Sequence, residues 1–175
     1  MEVSMNAATM IRLKTRSGLE LDARPATPDD EPALAALFDE VSDEDRRFRF
    51  LSASRHVSHE QLAPLVEADH QTSESYLAFD AETGLLVASG LFACDAEMDT
   101  AEVAVSVRKD YRAKGVGWAL LDLLAEEAAR RGVRRVISIE SRENHAAIEL
   151  EREKGFVPEP CEDDPGVVIL SRTFR

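Results

Sequence analysis

The sequence predicts a mixed α/β domain, with helices gathered around one sheet that is antiparallel over most of its width. Three observations carry that expectation. Extended segments at residues 76–79, 85–92 and 101–107 follow one another across tight turns at Thr83-Gly84 and Asp95-Ala96-Glu97, the pattern of a meander. Beyond them the hydrophobic period alternates, giving helix, strand, helix and two further strands. The 175 residues, 44% of them hydrophobic, suffice for one domain with a real core and barely for two. We therefore expect a single domain over residues 10–175, preceded by a flexible N-terminus at residues 1–9.

Each element has a local reason. Residues 11–14 and 19–21 read as short extended pieces joined at Ser17-Gly18. Thr27-Pro28-Asp29-Asp30 is a helix entry, with Thr27 as N-cap, Pro28 where no amide is needed, and acids at the positive end of the dipole. Leu34, Ala35, Leu37, Phe38 and Val41 then form one apolar face. Ser42-Asp43-Glu44-Asp45 opens a short second helix, and Ser58-His59-Glu60-Gln61 is a capping box opening a third. Between them Phe48 and Phe50 are expected to anchor the helical segment. Helices follow at 116–131 and 144–154, with strands at 133–140, 156–157 and 167–170.

Charge narrows the function. Thirty-four acids against 21 bases give a net −13, a field that repels nucleic-acid backbones and welcomes a basic partner, or serves only solubility. Cys94 and Cys161 lie far apart and match no metal-ligand spacing, so neither a metal site nor a disulfide framework is expected and a reducing cytoplasm is the simpler home. The first ten residues carry an acid and no basic flank, unlike a signal peptide, and the uncharged stretch 85–94 is about half of a membrane span.

One segment runs against the acidic background. Residues 101–107 alternate strictly, with Val103, Val105 and Val107 on one face and Glu102, Ala104 and Ser106 on the other. Arg108-Lys109-Asp110-Tyr111-Arg112-Ala113-Lys114-Gly115-Val116-Gly117 follows, and then a helix. Two glycines at a helix entry leave free amides at a positive dipole end, and four bases stand beside them against one acid, which suits a pyrophosphate. A Walker loop is excluded because no Lys-Ser or Lys-Thr follows a second glycine. A Rossmann turn fits poorly. Glu140 does lie 23 residues beyond Gly117, but Leu120 occupies the third glycine position, seven residues intervene between Val107 and Gly115, and only 35 remain after Glu140.

Arg112-Ala113-Lys114-Gly115-Val116-Gly117 resembles the Arg/Gln-x-x-Gly-x-Gly/Ala acyl-CoA loop of the GNAT N-acetyltransferases. Downstream, Asn144, Ala147, Leu150 and the closing Gly155-Phe156 are similar to that family's second motif. The resemblance covers roughly residues 10–172 and implies a V-splayed, mostly antiparallel mixed sheet flanked by helices. Within the family the chain most resembles the acetyltransferase domain of bacterial protein lysine acetyltransferases that modify acyl-CoA synthetases. Thr27-Pro28-Asp29-Asp30, Ser42 with Arg49-Phe50, and Ala101-Glu102-x-Ala104-Val105-x-Val107 carry that likeness.

The resemblance implies roles. Acetyl-CoA is the cosubstrate, its pyrophosphate held by the amides of Arg112, Ala113, Lys114, Gly115, Val116, Gly117 and Trp118. The backbone at Val105 and Val107 would pair with the pantetheine arm, with the Val107 amide near the thioester oxygen, and Asn144 would bond the pantetheine while capping its helix. Glu102 is the expected general base, among apolar neighbours where burial would improve it. Ser138 and Glu140 are candidates for the acceptor channel. Many relatives place a tyrosine, the leaving-group acid, where this chain has Glu151; the thiolate then leaves unaided, or with help from Ser106 or water. The arginines at 130, 131, 134 and 135 either end a helix favourably or neutralise the CoA 3′-phosphate. The expected activity is direct acetyl transfer to a primary amine, foremost a protein lysine. The alternatives are a small amine such as a polyamine, amino acid or antibiotic, or a non-catalytic acyl-CoA-binding regulatory module.

Overall fold

The computed structural model describes residues 10–50 and 56–174; the expected flexible segment 1–9 lies outside them. Eight strands form one sheet in the order β1-β2-β3-β4-β5-β6-β8-β7. They are β1 Ile11–Lys14, β2 Glu20–Pro25, β3 Ser73–Asp80, β4 Leu86–Cys94, β5 Thr100–Val107, β6 Arg135–Ser141, β7 Val157–Pro160 and β8 Val167–Thr173. Every pairing is antiparallel except β5 with β6. The helices are α1 Glu31–Asp39, α2 Asp43–Phe50, α3 His59–Val66, α4 Val116–Arg130 and α5 His145–Glu153. The α/β class and the antiparallel meander β3-β4-β5 are as the turn chemistry predicts.

Alternation along β3 places a core on each face of the sheet. Tyr76 and Ala78 join the cluster under α4 with Leu120 and Leu124, while Leu77 joins Leu34, Phe38, Leu62 and Leu65 of α1 and α3. The α4 side is tight: a Cβ at Gly90 on β4 would come within 3.0 Å of Leu120 Cγ, so a residue without a side chain is what lets the helix sit down. Phe50 anchors α2 by an edge-to-face contact with Phe38 at 4.9 Å between centroids. Arg46, 5% exposed, donates to the carbonyls of Phe38 at 2.9 Å and Val41 at 3.0 Å, tying α2 to the end of α1.

Caps fall largely where the sequence puts them. Ser58 accepts from the Gln61 amide at 3.2 Å while Gln61 accepts from the Ser58 amide at 2.9 Å, completing the capping box. Thr27 opens a 3-10 turn at Pro28–Asp30 rather than α1 directly. Its amide and hydroxyl are held by Asp30, which Arg24 grips through two nitrogens at 2.8 and 2.9 Å, keeping the carboxyl below its ordinary range. The strand expected at 156–157 runs instead to Pro160. β7 lies at the sheet edge, where Pro158 and Pro160 need no ladder partner on the open side.

Candidate active site

The sheet parts in its middle. β4 and β5 pair over seven positions, and β6 and β8 over seven, but β5 and β6 pair only at Thr100–Arg135, Ala101–Val136 and Glu102–Ile137. Beyond Glu102 the two strands separate, leaving the edge of residues 103–107 without a strand partner on that side. A cavity of about 810 Å³ fills the gap. It is lined by Glu102, Val105 and Val107 of β5, by residues 112–118, and by Asn144 at the start of α5, so one space brings together all the site residues expected from the sequence.

The loop into α4 owes its shape to its backbone. Ala113 (φ 63°) and Gly115 (φ 83°) adopt the left-handed conformation, with Arg112 extended before them. Such alternation turns successive amides inward, and α4 adds the unsatisfied amides of its first turn, so the arrangement suits an anion. The two glycines differ in kind. At Gly115 a side chain would be strained by its φ and would meet Thr15 Cβ at 3.1 Å. At Gly117 φ is ordinary, and a Cβ would make only van der Waals contacts with Leu150 at 3.4 Å and Val107 at 3.6 Å. Folding demands Gly115; the cavity is what benefits from Gly117.

The basic character of this loop is more localised than its sequence suggests. Arg108 pairs with Asp110 at 2.8 Å, Lys109 with Glu40 at 3.6 Å and Arg112 with Asp45 at 3.6 Å. Arg112 and Lys114 line the cavity, and Arg16, from the turn between β1 and β2, joins them. Ser17 fixes that turn to the loop through a bond to the Lys114 carbonyl at 2.7 Å. Two cations stand over the Trp118 ring, Lys154 at 3.1 Å and Arg16 at 4.9 Å from its centroid.

The far wall is acidic. Ser138 and Glu140, the candidates for the acceptor channel, line the cavity. Ser138 Oγ donates within reach of Glu140 at 2.8 Å and Glu151 at 3.2 Å, and Asn144 Nδ2 donates to Glu140 at 3.3 Å while its Oδ1 accepts from the Ala147 amide at 3.4 Å. Glu151 is 6% exposed, and its Oε1 has no hydrogen-bond partner among the described residues. Burial, and then the neighbouring Glu140, hold its carboxyl far above the ordinary range, so Glu151 keeps its proton at neutral pH. Glu102, at the point where the strands part, is exposed to the cavity; the burial expected around it is not found.

Three further expectations change. Phe48 lines the cavity while Phe50 alone is the anchor. The arginines at 130, 131, 134 and 135 sit outside the cavity: Arg130 pairs with Glu127, Arg131 with Glu74 at 3.0 Å, Arg134 with Asp99 at 2.9 Å and Arg135 with Glu159 at 2.6 Å, leaving the 3′-phosphate role without support. Arg49 enters the site although its sequence position marks it only as part of a resemblance; burial pushes its guanidinium down, and Glu102 and Glu140 act in the opposite sense. Among the described residues no cluster of His, Cys, Asp or Glu is placed to hold a metal ion, and no helix is long and apolar enough to cross a membrane.

Comparison with known proteins agrees with this geometry. A model of the acetyltransferase (GNAT) family matches residues 34–156. An acetyltransferase of Pseudomonas aeruginosa is 31% identical over 148 residues, which is 83% of this chain and 80% of that one. The crystal structure of the GNAT domain of S. lividans PAT superposes with a TM-score of 0.87 at 26% identity, covering 96% of this chain and 98% of that one. The ribosomal L7/L12 alpha-N-protein acetyltransferase in complex with coenzyme A shares the fold at 19% identity, with a TM-score of 0.67 over 88% of this chain and 94% of that one.

Two predictions follow from the site alone. Gly115→Ala should lower unfolding stability by about 1–3 kcal/mol through left-handed strain, whereas Gly117→Ala should leave it unchanged or raise it by up to about 1 kcal/mol. Urea titration of both variants checks this. Because the raised Glu151 carboxyl binds a proton that the unfolded chain releases, its contribution is complete below the ordinary carboxylate range and fades as pH rises. The Tm of Glu151→Gln relative to the parent chain should therefore climb steadily from pH 5 to pH 9 in thermal melts.

Proposed function

The chain belongs to the acetyltransferase (GNAT) family and uses acetyl-CoA as its cosubstrate, and from that premise we propose that it acetylates a protein lysine, with Glu102 as general base. One observation carries the reading: the open edge of β5 runs from Glu102 directly into an anion-suited loop and helix start. The amides of Arg112, Ala113, Lys114, Gly115, Val116, Gly117 and Trp118 hold the pyrophosphate, with Lys114, Arg112 and Arg16 balancing its charge. The fit is good at Gly117, where the missing side chain leaves room that the fold does not need. Val105 and Val107 offer their edge to the amide-bearing pantetheine, and Asn144 bounds the same channel.

The mechanism is direct transfer. An acceptor arrives as an ammonium, attracted by the carboxylates of the far wall, and must lose a proton before it can attack. Glu102 stands where the strands part and takes that proton, directly or through water. The amine nitrogen then bonds to the thioester carbonyl carbon, whose oxygen is met by the Val107 amide, and the carbon–sulfur bond breaks. The acidic remainder of the surface favours a lysine-rich partner, in line with the sequence resemblance to bacterial protein lysine acetyltransferases. Cys94 and Cys161 are unpaired, in keeping with a cytoplasmic location.

A second reading rests on Arg49. It lines the cavity and makes no hydrogen bond among the described residues, an arrangement that would also suit a small acceptor carrying a carboxylate beside its amine, such as an amino acid. Incubation with labelled acetyl-CoA, in a cell lysate and separately with an amine panel, decides between them. Label in protein supports the lysine reading, and label confined to small amines overturns it. Glu102→Gln should retain the thermal shift caused by acetyl-CoA while kcat falls by about 10²-fold or more. Full activity would remove Glu102 as the base.

A further inference from the structure

Acetyl transfer ends with a thiolate, and the cavity wall holds few groups able to give it a proton. The chain has two tyrosines. Tyr76 is buried in the core under α4, away from the cavity, and the Tyr111 hydroxyl is committed to Asp80 at 2.7 Å. Ser138 already shares its one proton between Glu140 and Glu151. Ser106 is a buried alcohol, far too weak an acid to donate on its own. What remains is a carboxyl: Glu151 on α5 lies in the wall on the far side of the parting from Glu102, joined to Glu140 through the Ser138 hydroxyl, with one oxygen free of any partner among the described residues.

Two carboxyl groups that share one serine hydroxyl at a half-buried site do not both rest ionised, so at rest one proton stays with the pair. Ser138 and Asn144 hold the pair from β6 and from the start of α5. These contacts favour Glu140 as the ionised member: it accepts from both Ser138 and Asn144, whereas Glu151 has Ser138 alone. The buried Glu151 is then the member that carries the proton.

We propose that Glu151 is the acid that protonates the departing thiolate of coenzyme A, and that Glu140 and Ser138 are positioning residues that keep it protonated and oriented. The assignment rests on the acetyl-transfer reading above. The nitrogen–carbon bond forms, the carbon–sulfur bond breaks with its electron pair passing to sulfur, and the Glu151 proton moves to that sulfur. The acceptor nitrogen gives up two protons, one from its ammonium before attack and one as the amide forms; Glu102 passes both in turn to solvent, and solvent returns one to the Glu140–Glu151 pair. An acid held protonated well above neutrality is matched to a thiol, whose own ionisation lies there too, better than an ordinary carboxyl would be.

The test has two arms. In the first, the parent chain carrying carbon-13-labelled glutamate is examined by infrared spectroscopy at pH 8 without any substrate. A protonated-carboxyl band is expected there and should vanish in Glu151→Gln; its absence from the parent chain overturns the proposal whatever the variant does. In the second, Glu151→Gln is compared with the parent chain using acetyl-CoA and its seleno analogue, whose selenolate leaves without needing a proton. The expected result is a kcat lower by about 10²-fold with the thioester, near-parent turnover with the selenoester, and an unchanged thermal shift by acetyl-CoA. Equal losses with both donors, or no loss with either, overturn the assignment. A parent chain that transfers acetyl to no acceptor overturns the acetyl-transfer reading instead.

Discussion

The parallel contact between β5 and β6 is the constraint on which the rest depends. It lasts three residues and then fails. Were it to continue, residues 103–107 would satisfy their backbone groups within the sheet and no channel would open through the molecule. Because it fails, the sheet becomes two arms, β1 to β5 and β6 with β8 and β7, that share only a short hinge of ladder. Each arm brings its own chemistry to the gap. The first contributes the strand edge, the glycine loop and the start of α4; the second contributes Ser138, Glu140, Asn144 and Glu151. Both arms must be firm for the gap to keep its width, and the cores on the two faces of the first arm supply that on one side.

Firmness at the loop comes from an unequal use of two glycines. Gly115 is locked by the β1–β2 turn, where Thr15 and Arg16 leave no room for a side chain. Ala113, a residue with a Cβ, is nevertheless left-handed, which costs on the order of 1 kcal/mol and is tolerated because the surrounding contacts over-determine it. The amides are thus aimed before any ligand arrives. Preorganisation of this kind removes the ordering cost from the binding step.

Much of the site was legible because it is written in local spacing. The strand 101–107, the glycines at 115 and 117 and the cap at Asn144 each declare themselves within a window of a few residues, and the cavity gathers all of them. What could not be read depends on contacts distant in sequence. Arg16 joins the loop from nearly a hundred residues away through the Ser17 bond to Lys114. The arginines at 130–135 look in sequence like an anion site, and only the fold shows that Glu74, Asp99, Glu127 and Glu159 already claim them. Burial was not legible at either carboxyl: Glu102 has apolar neighbours along its strand yet faces the open gap, which reverses the expectation, and nothing in the highly charged segment around Glu151 announces that it is buried. The edge strand runs through Pro158 to Pro160 because position in the sheet, which sequence does not state, decides whether a missing amide matters.

Arg46 gives the architecture a further consequence. This buried guanidinium, bonded to the carbonyls of Phe38 in α1 and Val41 just beyond it and to Asp43, fixes the eight-residue helix that carries Phe48 and Arg49 to the cavity. This side of the cavity is therefore a cassette fastened to α1, meeting the glycine loop at the ion pair between Asp45 and Arg112. Such a cassette can be rewritten residue by residue, or exchanged whole, while the donor half stays as it is. A lineage built this way can change what it modifies without relearning how to hold what it modifies with.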